Sequence, residues 1–262
     1  MPHPDGSPRA EYAAAVESLA GRVLGALRGA GDTAVVATHV ESAPDPKAAL
    51  AAVRVLGPDV FAPALFGGTP FGPADAQAVT ESFRIFPPAP DATAETAWRD
   101  WTTVRLLVRH GGDDVPGVPE PATEPAAGPR STEAGAADAS WREWSLRMAQ
   151  LSPLALPDVD GPVQAAAHHR PLALARGTAR AMLRRDYPTA ARLARWAAFA
   201  RHRGARTDLD VAAVLRHVEL HGGSGARTAL DTAIARLLLE APHPPHPSDR
   251  PDRSPRPGGP TA

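Results

Sequence analysis

The sequence predicts a mixed fold: a small α+β module, a disordered acidic linker and an all-α domain of helical hairpins. Three observations lead there. Short β-branched runs alternate with amphipathic helices in the first 110 residues. A stretch rich in Pro, Gly, Ala and acid then spans 111–139 without one aromatic residue. Beyond it the apolar residues recur at helical spacing and the charge changes sign. Residues 1–140 hold 10 Lys/Arg against 18 Asp/Glu, and residues 141–240 hold 15 Arg against 9 Asp/Glu. Ten arginines fall between Arg170 and Arg206, with Asp186 alone opposing them. The net charge of -1 thus averages an acidic half and a basic half. Such asymmetry points to a charged partner, or to one half docking on the other.

Residues 1–7 read as a disordered start. Over 8–30, Tyr12, Val16, Leu19, Val23 and Leu27 recur at helical spacing, with Ser7-Pro8 as cap and first turn. Thr33–Val40 is short and β-branched and reads as a strand. Lys47–Leu56 reads as a helix. Val60–Phe66, interrupted by Pro63, reads as an edge strand or irregular apolar segment. Ala74–Ser82 is helical in pattern, and Phe83–Phe86 reads as a short strand. Thr93–His110 carries Trp98, Trp101 and Val108 near helical spacing, with a strand at Thr102–Val108 as the competing reading.

The module therefore covers 8–110 and the linker 111–139, whose composition buries too little apolar surface to offset chain entropy. The basic helical domain covers 140–241. Ser140-Trp141-Arg142-Glu143 matches a capping box, predicting a helix from there to about Leu151. Helices follow near 162–169, 171–185, 189–203, 208–221 and 226–240, the fourth behind a second capping pattern at Thr207–Asp210. Residues 242–262 are a Pro-rich, disordered tail. The hairpin at 171–203 resembles a single tetratricopeptide-type unit in Asp186-Tyr187 followed by Ala190, Ala194 and Ala197. Gly177 and Thr178 depart from that pattern, so the resemblance implies stacked helical hairpins and nothing narrower.

Composition excludes several chemistries. Cysteine is absent, which removes disulfides, thiol nucleophiles and Cys-based metal sites. No run approaches the roughly 18 apolar residues of a bilayer span, and the first residues do not read as a secretory signal. The expectation is a cytoplasmic protein without a membrane partner. Lys47 is the one lysine among 28 basic residues, a codon bias that makes arginine the default cation here.

The candidate site is the arginine-rich segment. On a helix over 171–185, Arg176, Arg180 and Arg184 fall in an arc of about 80°, with Leu172, Ala175, Ala179, Met182 and Leu183 beside them. Arg185 follows. On the next helix Arg192, Arg195 and Arg203 share a face with Trp196 and Phe199. Arginine interleaved with aromatics suits phosphates and stacked bases. It suits an acidic protein surface better, the chain's own N-terminal half or linker being one such surface. The bland alternative is a solvated face whose arginine stems cover the core. A helix-turn-helix reading lacks base-reading residues at the start of the second helix.

His217 and His221 stand one turn apart, a spacing that can hold a metal. Glu219 lies on another face, and two His at a helix end also suit the helix dipole. Asp158–Gly161 lacks the remaining ligands of a calcium loop. Neither Gly67–Gly72 nor Gly222–Gly225 completes a phosphate loop or nucleophile elbow. No motif calls for a cofactor. The expectation is a non-catalytic interaction or regulatory protein docking an acidic partner through 176–203. A nucleic-acid-binding regulator using the same arginines comes second, and an enzyme without a recognisable motif third.

Overall fold

The computed structural model describes residues 7–30, 33–67, 69–122, 134–223 and 225–241, with backbone alone over 134–140. Among them every regular element is helical and no strand occurs. The α+β module expected over 8–110 is therefore corrected to an all-helical one. The expected frayed start, apart from Ser7, and the tail after Ala241 lie outside the described residues, as do 123–133 of the linker.

Helix α1 (Pro8–Leu27) follows its pattern, with Val16, Leu19, Ala20 and Val23 inward. The expected strand at Thr33–Val40 is instead helix α2 (Val35–Ser42). The cause lies 39 residues away: Asp75 Oδ1 accepts the N–H groups of Val36 and Ala37 at 2.8 and 2.9 Å. Those first-turn amides have no intrahelical partner, and the carboxylate also suits the dipole. Burying Val35 and Val36 returns about 1.5–3 kcal/mol each, against a helix penalty for valine below about 1 kcal/mol.

Helix α3 (Pro46–Leu56) is capped by Asp45, which accepts the Lys47 N–H. The expected edge strand at 60–66 is a 3-10 turn, Gly57–Phe61, running into the short helix α4 (Ala62–Leu65). Pro63 stands in the first turn of α4, where its missing N–H costs nothing. The apolar stretch Pro46–Leu65 is long enough to span a bilayer by composition, but 72% of the window is buried in the fold. Helix α5 (Pro73–Ile85) absorbs the strand expected at Phe83–Phe86, burying Phe83. Helix α6 (Ala94–Arg109) decides against a strand at 102–108.

Helix α7 (Ala134–Gln150) starts six residues before the expected cap at Ser140, so the last part of the supposed disordered linker is helical. The run from Ala134 to Ala139 is mostly alanine, the best helix former. Then come α8 (Pro162–His169), α9 (Pro171–Leu183), α10 (Tyr187–His202), α11 (Val211–His221) and α12 (Ala226–Glu240). Asp186 and Asp210 cap α10 and α11, accepting the N–H of Thr189 and Ala213. The second cap thus sits three residues beyond Thr207.

One apolar cluster runs from Val16 to Leu238 and takes residues from both halves of the chain. Helix α1 packs on α12, and α10 is the central element, covered by α7, α8, α9, α11 and α12. Trp196 and Phe199 of α10 pack edge to face at 5.5 Å, both within the core.

Candidate functional site: the arginine face of α9

Helix α9 lies against α7 and α10 with Leu174, Gly177, Thr178 and Ala181 inward. Gly177 permits the close approach: a Cβ there would meet Ser145 Cβ at 2.6 Å and Leu193 Cδ1 at 3.1 Å. The buried stripe is thus rotated from the expected one. Leu172 and Leu183, in the apolar arc expected beside the arginines, are 60% and 87% exposed.

Arg176 and Arg180 stand on the outer side of α9, Arg184 closes it and Arg185 follows; all four are exposed. Among the described residues none of them enters an ion pair. The acid nearest in sequence, Asp186, is committed to the α10 cap. Arg185 adopts φ 56°, and the Asp186 N–H reaches back to the Ala181 carbonyl at 2.9 Å while the Arg185 N–H donates to Met182. This is a Schellman ending in which glycine is the usual residue. A shallow concavity of about 460 Å³ opens on this face, lined by Trp141, Arg176, Ala179, Arg180, Leu183 and Arg184. Arg142 extends the cationic surface, its guanidinium 5.3 Å from the Trp141 ring centre. The site therefore presents positive charge around exposed leucine and a half-buried tryptophan.

The other expected site residues lie elsewhere. Arg195 is wholly buried, donating to Asp59 at 2.6 Å, Asp231 at 3.0 Å and the Ala155 carbonyl at 3.2 Å. Burial opposes its charge most strongly, yet Asp59 and Asp231 together hold its pKa above the ordinary arginine value. Trp196 is buried too, its Nε1–H donating to the Met148 carbonyl at 2.8 Å. Arg192 is half-buried, its Nε 3.8 Å from Asp231. Arg203 is bound to Asp160 at 2.6 Å, at the rim of a larger cleft of about 650 Å³ lined by Trp98, Trp101 and Gln164 among others. Neither Arg195 nor Trp196 can touch a partner. The enclosure of α10 also leaves it no free face for a nucleic-acid groove.

His217 and His221 come together at 4.4 Å between ring centres, with Tyr187 at 5.9 and 6.4 Å. Among the described residues no group of three or more His, Asp or Glu is placed to hold a metal. Sequence reasoning missed Asp59 and Asp231, whose pairing with Arg195 carries no local signal. It placed Leu172 and Leu183 in the arc beside the arginines without showing that both are exposed. Comparison with protein-family models, curated proteins and solved structures gives no match, so the functional reading rests on this geometry.

Proposed function

We propose that this is a non-catalytic interaction protein whose α9 face docks an acidic, amphipathic segment of a partner protein. The observation that carries the reading is three exposed arginines, Arg176, Arg180 and Arg184, without an ion pair among the described residues and set around Leu183 and Trp141. An exposed pair contributes about 0.2–1 kcal/mol, so arginines alone give weak attachment. Covering Leu183 and Trp141 adds apolar burial at about 25 cal/mol per Å². A partner chain offering acid and apolar side chains gains from both terms. Nucleic acid gains mainly from the first, which favours protein over phosphate.

The test is affinity capture by the full chain from nuclease-treated extract of its source cells, wild type against Arg180→Glu/Arg184→Glu. A discrete acidic protein retained by the wild type and lost with the double variant supports the reading. Equal recovery by both proteins, or retention that vanishes with nuclease, counts against it.

A further inference from the structure

The larger cleft lies away from α9, between α6 and the chain over 154–164. On α6, Trp98, Trp101, Thr102, Arg105 and Arg109 stand at i, i+3, i+4, i+7 and i+11, so one stripe of the helix forms a wall. Leu154, Val159 and Gln164 line the cleft from the 154–164 side. Its volume of about 650 Å³ falls in the range of small-molecule sites, which are largely apolar with a few placed polar groups.

The 154–164 side is held by more than apolar packing. Asp158 adopts φ 58°, a left-handed backbone that aspartate tolerates better than most residues. Arg109 Nη1 donates to the Asp158 carbonyl at 3.1 Å, and its Nη2 lies 3.5 Å from the Asp158 carboxylate. Arg203, just past α10, donates to Asp160 at 2.6 Å. The buried Gln164 donates to the Leu154 carbonyl at 2.9 Å. Left-handed non-glycine backbone persists where its surroundings over-determine it, and ligand clamps are one such place. Donors from α6, α8 and the end of α10 thus fix this wall in advance, which lowers the cost of binding.

The charges of the lining select the ligand. Asp158 and Asp160 are met by Arg109 and Arg203, and Asp114 Oδ1 accepts the Val115 N–H at 2.9 Å. Arg105 differs. Its guanidinium lies 4.8 Å from the Trp101 ring centre. It is exposed, and among the described residues it enters no ion pair. A guanidinium resting on a ring keeps its N–H edge for a carboxylate fork. Trp98 and Trp101 stand edge to face at 5.3 Å, and with Leu154 and Val159 they offer an aromatic ring an apolar bed.

We infer that the cleft between α6 and 154–164 binds a small aromatic carboxylate, with its ring against Trp98 and Trp101 and its carboxylate on Arg105. The site is separate from the α9 face and independent of the docking reading.

The experiment is calorimetric titration of the full chain with naphthylacetate, its uncharged amide naphthylacetamide, and naphthylethylamine. Wild type, Arg105→Gln, Trp101→Leu and the α9 control Arg180→Gln are compared. Saturable binding of naphthylacetate to one site is expected for wild type and Arg180→Gln, weakened about tenfold or more in Arg105→Gln by loss of the charged fork. The amide should bind wild type and Arg105→Gln alike, at the weakened level. Trp101→Leu should weaken acid and amide together. The inference fails if naphthylacetate does not saturate, if Arg105→Gln binds it as wild type does, or if the amide binds wild type as tightly as the acid. Tighter binding of the amine overturns it as well, because the aspartates would then set the charge of the site.

Discussion

Removing the Asp59 carboxylate tests how the two halves of the chain are joined. Asp59 lies on the 3-10 turn of the N-terminal half, and its partner Arg195 is 136 residues away on α10. Arg195 has no exposed surface, so Asp59→Ala leaves its charge facing Asp231 alone. At about 3 Å and an effective dielectric near 20, one unit pair is worth about 5 kcal/mol. Relaxation and water entry reduce the loss, and breaking one side of a buried pair costs about 3–5 kcal/mol. Asp59→Ala should therefore lose about 3–5 kcal/mol in urea unfolding of the full chain at neutral pH. Circular dichroism and tryptophan emission follow the two readouts, and an unchanged m-value certifies the comparison. The triple variant Asp59→Leu/Arg195→Met/Asp231→Leu removes all three charges together and should recover most of that loss. A loss below about 1 kcal/mol for Asp59→Ala would refute the reasoning, because it would mean Arg195 is hydrated or otherwise balanced.

Three further outcomes follow from the same geometry. Gly177→Ala drives a methyl into Ser145 and Leu193 and should cost about 1–3 kcal/mol by overpacking, read as a lower urea midpoint. Arg185→Gly relieves a left-handed residue and should stabilise by about 1 kcal/mol while weakening partner capture, so its Tm and its binding should move in opposite directions. Burial, with Arg22 adding, lowers the His39 pKa to about 4, below the value near 6.5 of an unfolded histidine. The native state thus resists the proton that the unfolded chain accepts. Stability is complete above pH 6.5 and declines by about 3 kcal/mol as pH falls towards 4. His39→Gln should flatten that slope in unfolding titrations over pH 4–7, and an unchanged slope would move the effect to another group.

The legible part of this fold is the part whose signals are local. The helices at 8–27 and 226–240 repeat their apolar residues within themselves, and α10 carries its own aspartate cap. Helix α2 does not: Val35 and Val36 look like a strand until Asp75 arrives from α5 to cap them. Ser140 carries a capping-box pattern inside a helix that had already begun, because the alanines before it need no cap. The candidate site divides in the same way. Arg176, Arg180, Arg184 and Arg185 stay on the surface, as their spacing suggests. Arg192 and Arg195, identical in type, turn inward because Asp231 and Asp59 await them on other elements. Nothing near Arg195 in the sequence distinguishes it from Arg180.

The claim that α9 receives an acidic amphipathic protein segment is tested most directly by titration. The full chain is titrated with a helical peptide carrying Glu and Leu on one face, and Trp141 emission is followed with Trp141→Phe as control. Saturable binding is predicted, lost with Arg180→Glu/Arg184→Glu and with replacement of the peptide leucines by alanine. It should fall only a few-fold between about 50 and 200 mM salt, since fewer charges are neutralised than in a nucleic-acid complex. An oligonucleotide of equal charge binding more tightly and losing that affinity steeply over the same salt range would contradict the account, as would a double variant that binds the peptide as wild type does.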